Sequence, residues 1–89
     1  ENIKKKIIKN LIKTPNGIIF PTKKEFELLY FLASKPNVIH SREEILERVW
    51  EEDTYILPRT IDVHVRKLRV NIGEHYIKTI NGLGYMFVV

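Results

Sequence analysis

Eleven consecutive residues, Arg59-Thr60-Ile61-Asp62-Val63-His64-Val65-Arg66-Lys67-Leu68-Arg69, carry most of the chemistry this chain can offer. Four are cations and one is an anion, a formal charge of +3. Guanidinium and ammonium groups donate hydrogen bonds and accept none, so they suit phosphate oxygens and the O6 and N7 acceptors of guanine. Drawn as a helix, the segment divides into two stripes. Ile61, Val65, Leu68 and Ile72 follow the i, i+4, i+7, i+11 spacing of one apolar face. At about 100° per residue, Arg59, Val63, Arg66 and Lys67 fall on the other side. A helix anchored on one side and basic on the other fits the phosphate-lined major groove of a DNA duplex. A solvated basic face explains the helix taken alone equally well.

Something must hold that helix in place. Thr22 and Glu25 have the S/T-x-x-E spacing of a capping box, and Phe26, Leu29, Tyr30 and Ala33, widened by Leu32, predict the stripe of a first helix. Lys35-Pro36-Asn37 ends it. Ser41 and Glu44 predict a second capping box, followed by Ile45, Leu46, Val49 and Trp50 as the apolar side of a second helix. Pro58 suits the first turn of the third helix and Gly73 its end. Before the helices, Ile7, Ile8, Leu11 and Ile12, the turn Pro15-Asn16-Gly17 and then Ile18-Ile19-Phe20 predict short antiparallel strands. After them, 76–80 and 85–89 form a hairpin across Asn81-Gly82-Leu83-Gly84.

Composition narrows the function. The chain has 89 residues, 44% of them hydrophobic, which is enough for one small domain with a core. It has no cysteine, hence no disulfide or thiolate metal site. His40, His64 and His75 lack metal-ligand spacing, and no nucleophile motif or phosphate-cradling glycine loop occurs, so neither an enzyme, a cofactor nor a metal is expected. No apolar run approaches the ~20 residues of a membrane span, and Glu1 opens no signal peptide, so the expectation is a cytoplasmic protein without membrane contact. The net charge of +4 is unevenly spread. Residues 1–13 hold five Lys and one Glu, whereas residues 41–53 hold two Arg and six acids. Separate patches of opposite sign suggest different partners.

The predicted fold is therefore α+β: strands over 1–21, a three-helix core over 22–73 and a hairpin over 76–89, all in one domain. A basic third helix followed directly by a hairpin makes a winged helix-turn-helix. The segments Phe26-Glu27-Leu28-Leu29, Ser41 through Trp50, Arg59 through Arg69, and Gly82-Leu83-Gly84-Tyr85-Met86-Phe87 together resemble the effector domain of OmpR/PhoB-type response regulators, in that family's order, over about three quarters of the chain. The resemblance implies a transcription factor that binds direct DNA repeats as a head-to-tail pair, with a phosphorylated receiver domain upstream. No receiver is present in this sequence, so it looks like an effector detached from a longer protein. The same kind of effector also serves membrane-anchored activators without a receiver. A winged helix used for protein–protein contact is a second class, but there the third helix tends to lose the basic face kept here.

Arg66 and Lys67 are the candidates for base-edge contact, though either could touch phosphate alone. Val63 is an outward apolar residue for which a thymine methyl, or mere tolerance of exposure, would account. The resemblance carries phosphate contacts onto Arg59, Thr60, His64 and Arg69, a backbone contact onto Thr79, and an indole-to-phosphate contact onto Trp50, which is otherwise core. It also implies that the loop 51–57 meets RNA polymerase, although a solvated loop accounts for those residues as well, as an exposed, uninvolved side chain does for His64. Two departures stand out. The N-terminal segment is short for the family's four strands, so a reduced sheet is expected. Asn81 stands where family wings often carry arginine, so it can hydrogen-bond in a minor groove but adds no charge. Asp62, four residues before Arg66, is expected to pair with it; Tyr85 is expected to pack within the hairpin.

Overall fold

The computed structural model describes residues 11–14, 17–51 and 55–89. Two short strands, β1 (Ile12–Thr14) and β2 (Gly17–Ile19), pair antiparallel with Ile12 opposite Ile19. Three helices follow, α1 (Lys23–Ser34), α2 (Arg42–Val49) and α3 (Arg59–Ile72), then the antiparallel hairpin β3 (Ile77–Ile80) and β4 (Gly84–Phe87). The expectations on Ile7, Ile8 and the turn at 15–16 lie outside the described residues; among the described residues the N-terminal sheet has two strands. Among the described residues no helix is long and apolar enough to cross a membrane.

The caps start the helices as their spacing requires. The Thr22 hydroxyl accepts from Glu25 N–H while the Glu25 carboxylate accepts from Thr22 N–H, which satisfies two otherwise orphaned donors. Ser41 accepts from Glu44 N–H, but the Glu44 carboxylate does not complete the second box as expected: it lies 3.1 Å from Nδ1 of the buried His40. The His40 ring, four residues before Glu44, takes the carboxylate instead of the Ser41 N–H. At the end of α3, Gly73 adopts φ +108° and its N–H closes on the Arg69 carbonyl.

The core lies between the helices and the hairpin. Leu28 and Leu32 of α1, Ile45 of α2, and Ile61, Val65 and Leu68 of α3 are wholly inaccessible, with Val49, Trp50, Ile72, Ile77 and Tyr85 closing around them. The expected stripe of α1 holds at Leu32, with Leu29 packed against the core, but its centre is shifted. The buried stripe runs through Glu25, Leu28 and Leu32, while Tyr30 is 68% exposed and stacks on Phe26 at 6.3 Å. The capping box decides this: once Glu25 turns inward to reach Thr22, the residues three and seven positions on face inward with it.

The hairpin has a third partner that the sequence pattern did not reveal. Residues 37–40, between α1 and α2, run alongside β4. His40 and Tyr85 exchange both backbone hydrogen bonds, at 2.8 and 2.9 Å, and Asn37 N–H donates to the Phe87 carbonyl. Gly84, expected to be part of the turn, is instead the first residue of β4. A Cβ there would come 1.9 Å from the His40 carbonyl oxygen, and its φ of +150° also disfavours other residues. Gly82 is the true turn glycine, at φ +79° with open space around it. Gly84→Ala is expected to cost about 3 kcal/mol or more, through overlap and strain together. Gly82→Ala is expected to cost about 1 kcal/mol, the conformational penalty alone. Urea denaturation of the two variants measures the difference.

Candidate nucleic-acid interface

Helix α3 presents the two faces its spacing predicts. With Ile61, Val65 and Leu68 fully buried, Arg59, Val63, Arg66 and Lys67 are all exposed, Val63 by half. One turn beyond Lys67, Val70 is 77% exposed, and with Asn71 it extends the same outward stripe toward the helix end. The sequence held the signal for Val70 in its seven-residue spacing from Val63.

The flanking candidates are fixed by specific contacts. His64 Nδ1 donates to the Thr60 carbonyl at 2.9 Å, since a carbonyl oxygen can only accept, and its ring meets Trp50 edge-on at 5.0 Å. Nε2 is the ring nitrogen not used in that bond. Trp50 is 5% exposed, and so mainly core. The Lys24 ammonium sits 5.8 Å from its ring and caps the end of α2 through the Val49 carbonyl at 2.7 Å. The side of α2 carrying Glu43 and Glu47 is exposed and acidic, away from these cations in sign as well as in sequence.

Arg69 is not a free cation. Its Nε and Nη2 donate to the Ile77 carbonyl at 3.0 and 2.7 Å, and Nη2 also donates to the Thr79 hydroxyl at 2.8 Å. Arg69 and Thr79 thus meet each other, joining α3 to β3. Asn81 lies exposed at the hairpin tip, in the turn between β3 and β4. The middle of the loop 51–57, residues 52–54, lies outside the described residues; Tyr55 and Leu57 at its end are exposed.

Asp62 does not pair with Arg66. Its Oδ1 accepts from Arg42 Nε of α2 at 2.8 Å and from the Tyr85 hydroxyl of β4. Arg66 follows the outward stripe, whereas Asp62 lies toward α2 and the hairpin. Sequence reasoning passed over Arg42, yet it left a clue. A cation at the first position of a helix opposes the helix dipole and calls for an acidic partner. The guanidinium carbons of Arg42 and Arg69 lie 5.3 and 5.7 Å from the Tyr85 ring centroid, so a single buried tyrosine touches both cations. Partial burial alone would raise the Asp62 carboxyl. The hydrogen bonds from Tyr85 and Arg42, with the guanidinium charge, outweigh it and hold the carboxyl below its ordinary 3.8. Burial first, and Asp62 second, push the Tyr85 phenol up.

Comparison with known proteins places this geometry. Residues 18–87 match the family described as transcriptional regulatory protein, C terminal. The chain belongs to that family. It is 42% identical over 89 residues to the response regulator SaeR of Staphylococcus epidermidis, a match covering 91% of this chain and 39% of SaeR. It superimposes with a TM-score of 0.79 and 38% identity on the crystal structure of the DNA-binding domain of Bacillus subtilis CssR, covering 88% of this chain and 90% of that one. Thermotoga maritima DrrB, described as an OmpR/PhoB homologue, gives 0.74 and 40%, covering 82% of this chain and 35% of DrrB. The OmpR/PhoB-type winged helix expected from the sequence is thus the family fold. The chain spans about two fifths of SaeR's length.

The carboxyl of Asp62 supplies a stability test for this transcriptional regulatory domain. Because its folded value lies below 3.8, its contribution is fully present above that pH and lost as pH falls through the folded value. A half-exposed pair of this kind is worth about 1 kcal/mol. Wild type should lose about that much more stability than Asp62→Asn between neutral pH and the acid side of 3.8. Urea denaturation at the two pH values checks it.

Proposed function

We propose that this domain binds duplex DNA sequence-specifically to regulate transcription, as the effector part of a two-component response regulator. The observation that carries the reading is the division of α3 into a fully dry inner face and an outer face of exposed Arg59, Val63, Arg66 and Lys67. Such a helix can enter a major groove without unpacking the core that holds it. Arg66 and Lys67 reach base edges, and Val63 meets a thymine methyl. Arg59, Thr60 and His64 approach phosphates at the helix start, with Trp50 behind them. Arg69 and Thr79, already joined to each other, present the base of the wing to the backbone, and Asn81 leads the wing tip toward the adjacent minor groove. The intact protein, with a receiver upstream, works in the cytoplasm and pairs on direct half-sites about one helical turn apart. The loop 51–57 meets RNA polymerase.

Affinity for a preferred duplex should fall steeply as salt rises, because each phosphate contact releases counterions. Arg66→Ala is expected to cost roughly 1–3 kcal/mol on the best site and to relax preference at one base position. Titration of a duplex library at two salt concentrations reads both. Binding that ignores salt would contradict the reading, and an unchanged preference would move Arg66 to a phosphate.

The wing gives a separate expectation. Asn81→Arg adds a cation at an exposed tip, so it should tighten binding, raise the salt slope by about one phosphate equivalent, and favour A·T-rich flanks with a narrow minor groove. Equal affinities of wild type and variant on A·T-flanked and G·C-flanked sites would mean that the tip stays outside the groove.

A further inference from the structure

We infer that Asp62 is a positioning residue for DNA recognition: it acts through Tyr85 to set the angle between the wing and α3. The argument starts from spacing. Asp62 and Arg69 are seven residues apart, so they lie on nearly the same side of α3, about 10.5 Å apart along its axis. Each grips a different strand of the wing. Arg69 holds β3 through the Ile77 carbonyl and the Thr79 hydroxyl, and Asp62 holds β4 through the Tyr85 hydroxyl. The backbone pairing with residues 37–40 and the core hold the hairpin in place, and two side-chain attachments to α3, one on each strand, set its angle to the helix more narrowly than one would. A third element braces the second attachment, since Arg42 of α2 donates to the same Asp62 oxygen and lies against the same tyrosine ring. Tyr85, against whose ring Arg42 and Arg69 both lie, is 4% exposed, so the residue that links the carboxylate to β4 is fixed in the core although the ion pair itself is half-exposed. The backbone exchange between His40 and Tyr85 pins β4 from its other edge.

The inference rests on the DNA-binding reading above and predicts an effect opposite to simple electrostatics. Removing the negative charge of Asp62 from the helix that carries the proposed DNA-facing cations should, by Coulomb attraction alone, tighten binding. If Asp62 positions the wing, its loss weakens binding instead. The test uses the whole chain, a duplex selected by wild type from a randomised library, and the variants Tyr85→Phe, Asp62→Asn and their combination. Tyr85→Phe leaves the charge unchanged and removes one hydrogen bond to a carboxylate. Each single variant is expected to bind about 5–20-fold more weakly, the order expected for a hydrogen bond to a charged group partly recovered by relaxation. The double variant should be little weaker than the weaker-binding single variant, because both act on one contact: Tyr85→Phe removes the donor, and Asp62→Asn leaves an amide oxygen that still accepts but has lost the charge that strengthens the bond. Hydroxyl-radical footprints should lose protection on the wing side and keep it over the major-groove contacts, with base preference unchanged. Without DNA, amide exchange should quicken in β3 and β4 of Tyr85→Phe while α1 stays protected, which separates loss of the joint from general unfolding. Footprints identical to wild type, tighter binding by Asp62→Asn, or a shift in base preference would each overturn the proposal. A wild-type chain that selects no duplex would refute the DNA-binding reading and this inference with it; a wild-type footprint that the variants leave intact would refute the inference alone.

Discussion

The dry seam along α3 is the constraint on which the rest of the structure depends. A helix can offer four outward residues to a polyanion only if its other side is held firmly enough to resist being pulled away. Ile61, Val65 and Leu68 are wholly excluded from solvent and are packed among Leu28, Leu32 and Ile45. Deleting any of these side chains would open a cavity costing about 2–5 kcal/mol, a large fraction of the stability of a domain this small. The outward face needs no such support. Its residues bear on one another only weakly, so they can vary while the seam holds the helix.

Charge is managed differently on the two sides of that seam. On the outer face Arg59, Arg66 and Lys67 remain exposed. At the junction of α2, α3 and the hairpin, by contrast, Arg42 and Arg69 are both engaged, by Asp62 in one case and by the Ile77 carbonyl and Thr79 in the other, with Tyr85 between them. Cations of one chemical type therefore serve two purposes. Those on the outer face stay hydrated, and those that hold the frame spend donors on fixed acceptors. Part of the charge of α3 has a second task, because Arg69 holds β3 through Nε and Nη2.

The sequence made the locally encoded features legible. The two faces of α3, the Thr22 capping box, the Gly73 stop and the hairpin all rest on residues within a few positions of one another, where periodicity and capping chemistry act. What it concealed depends on long-range partners. Asp62 has Arg66 four residues away, but its actual partners are twenty and twenty-three residues away, at Arg42 and Tyr85. Gly84 read as a turn glycine because the His40 carbonyl that excludes a Cβ lies on another segment. The segment 37–40 beside β4 is too short and too exposed to alternate visibly, and only its bridge from His40 to Tyr85 and the Asn37–Phe87 bond define it. On α1 the apolar residues surround more than one face, and the inward turn of Glu25 selects Leu28 and Leu32 over Phe26 and Tyr30.

The most direct measurement is an amide and methyl chemical-shift map of the whole chain bound to its selected duplex, with contacts from the Val63 methyls to the DNA. The account predicts that the largest shifts fall on Arg59, Val63, Arg66 and Lys67, continue to the hairpin, and include a Val63 contact with a thymine methyl in the major groove. Shifts centred instead on the exposed Phe26–Tyr30 face of α1 or the acidic face of α2, with the outer face of α3 unmoved, would contradict it.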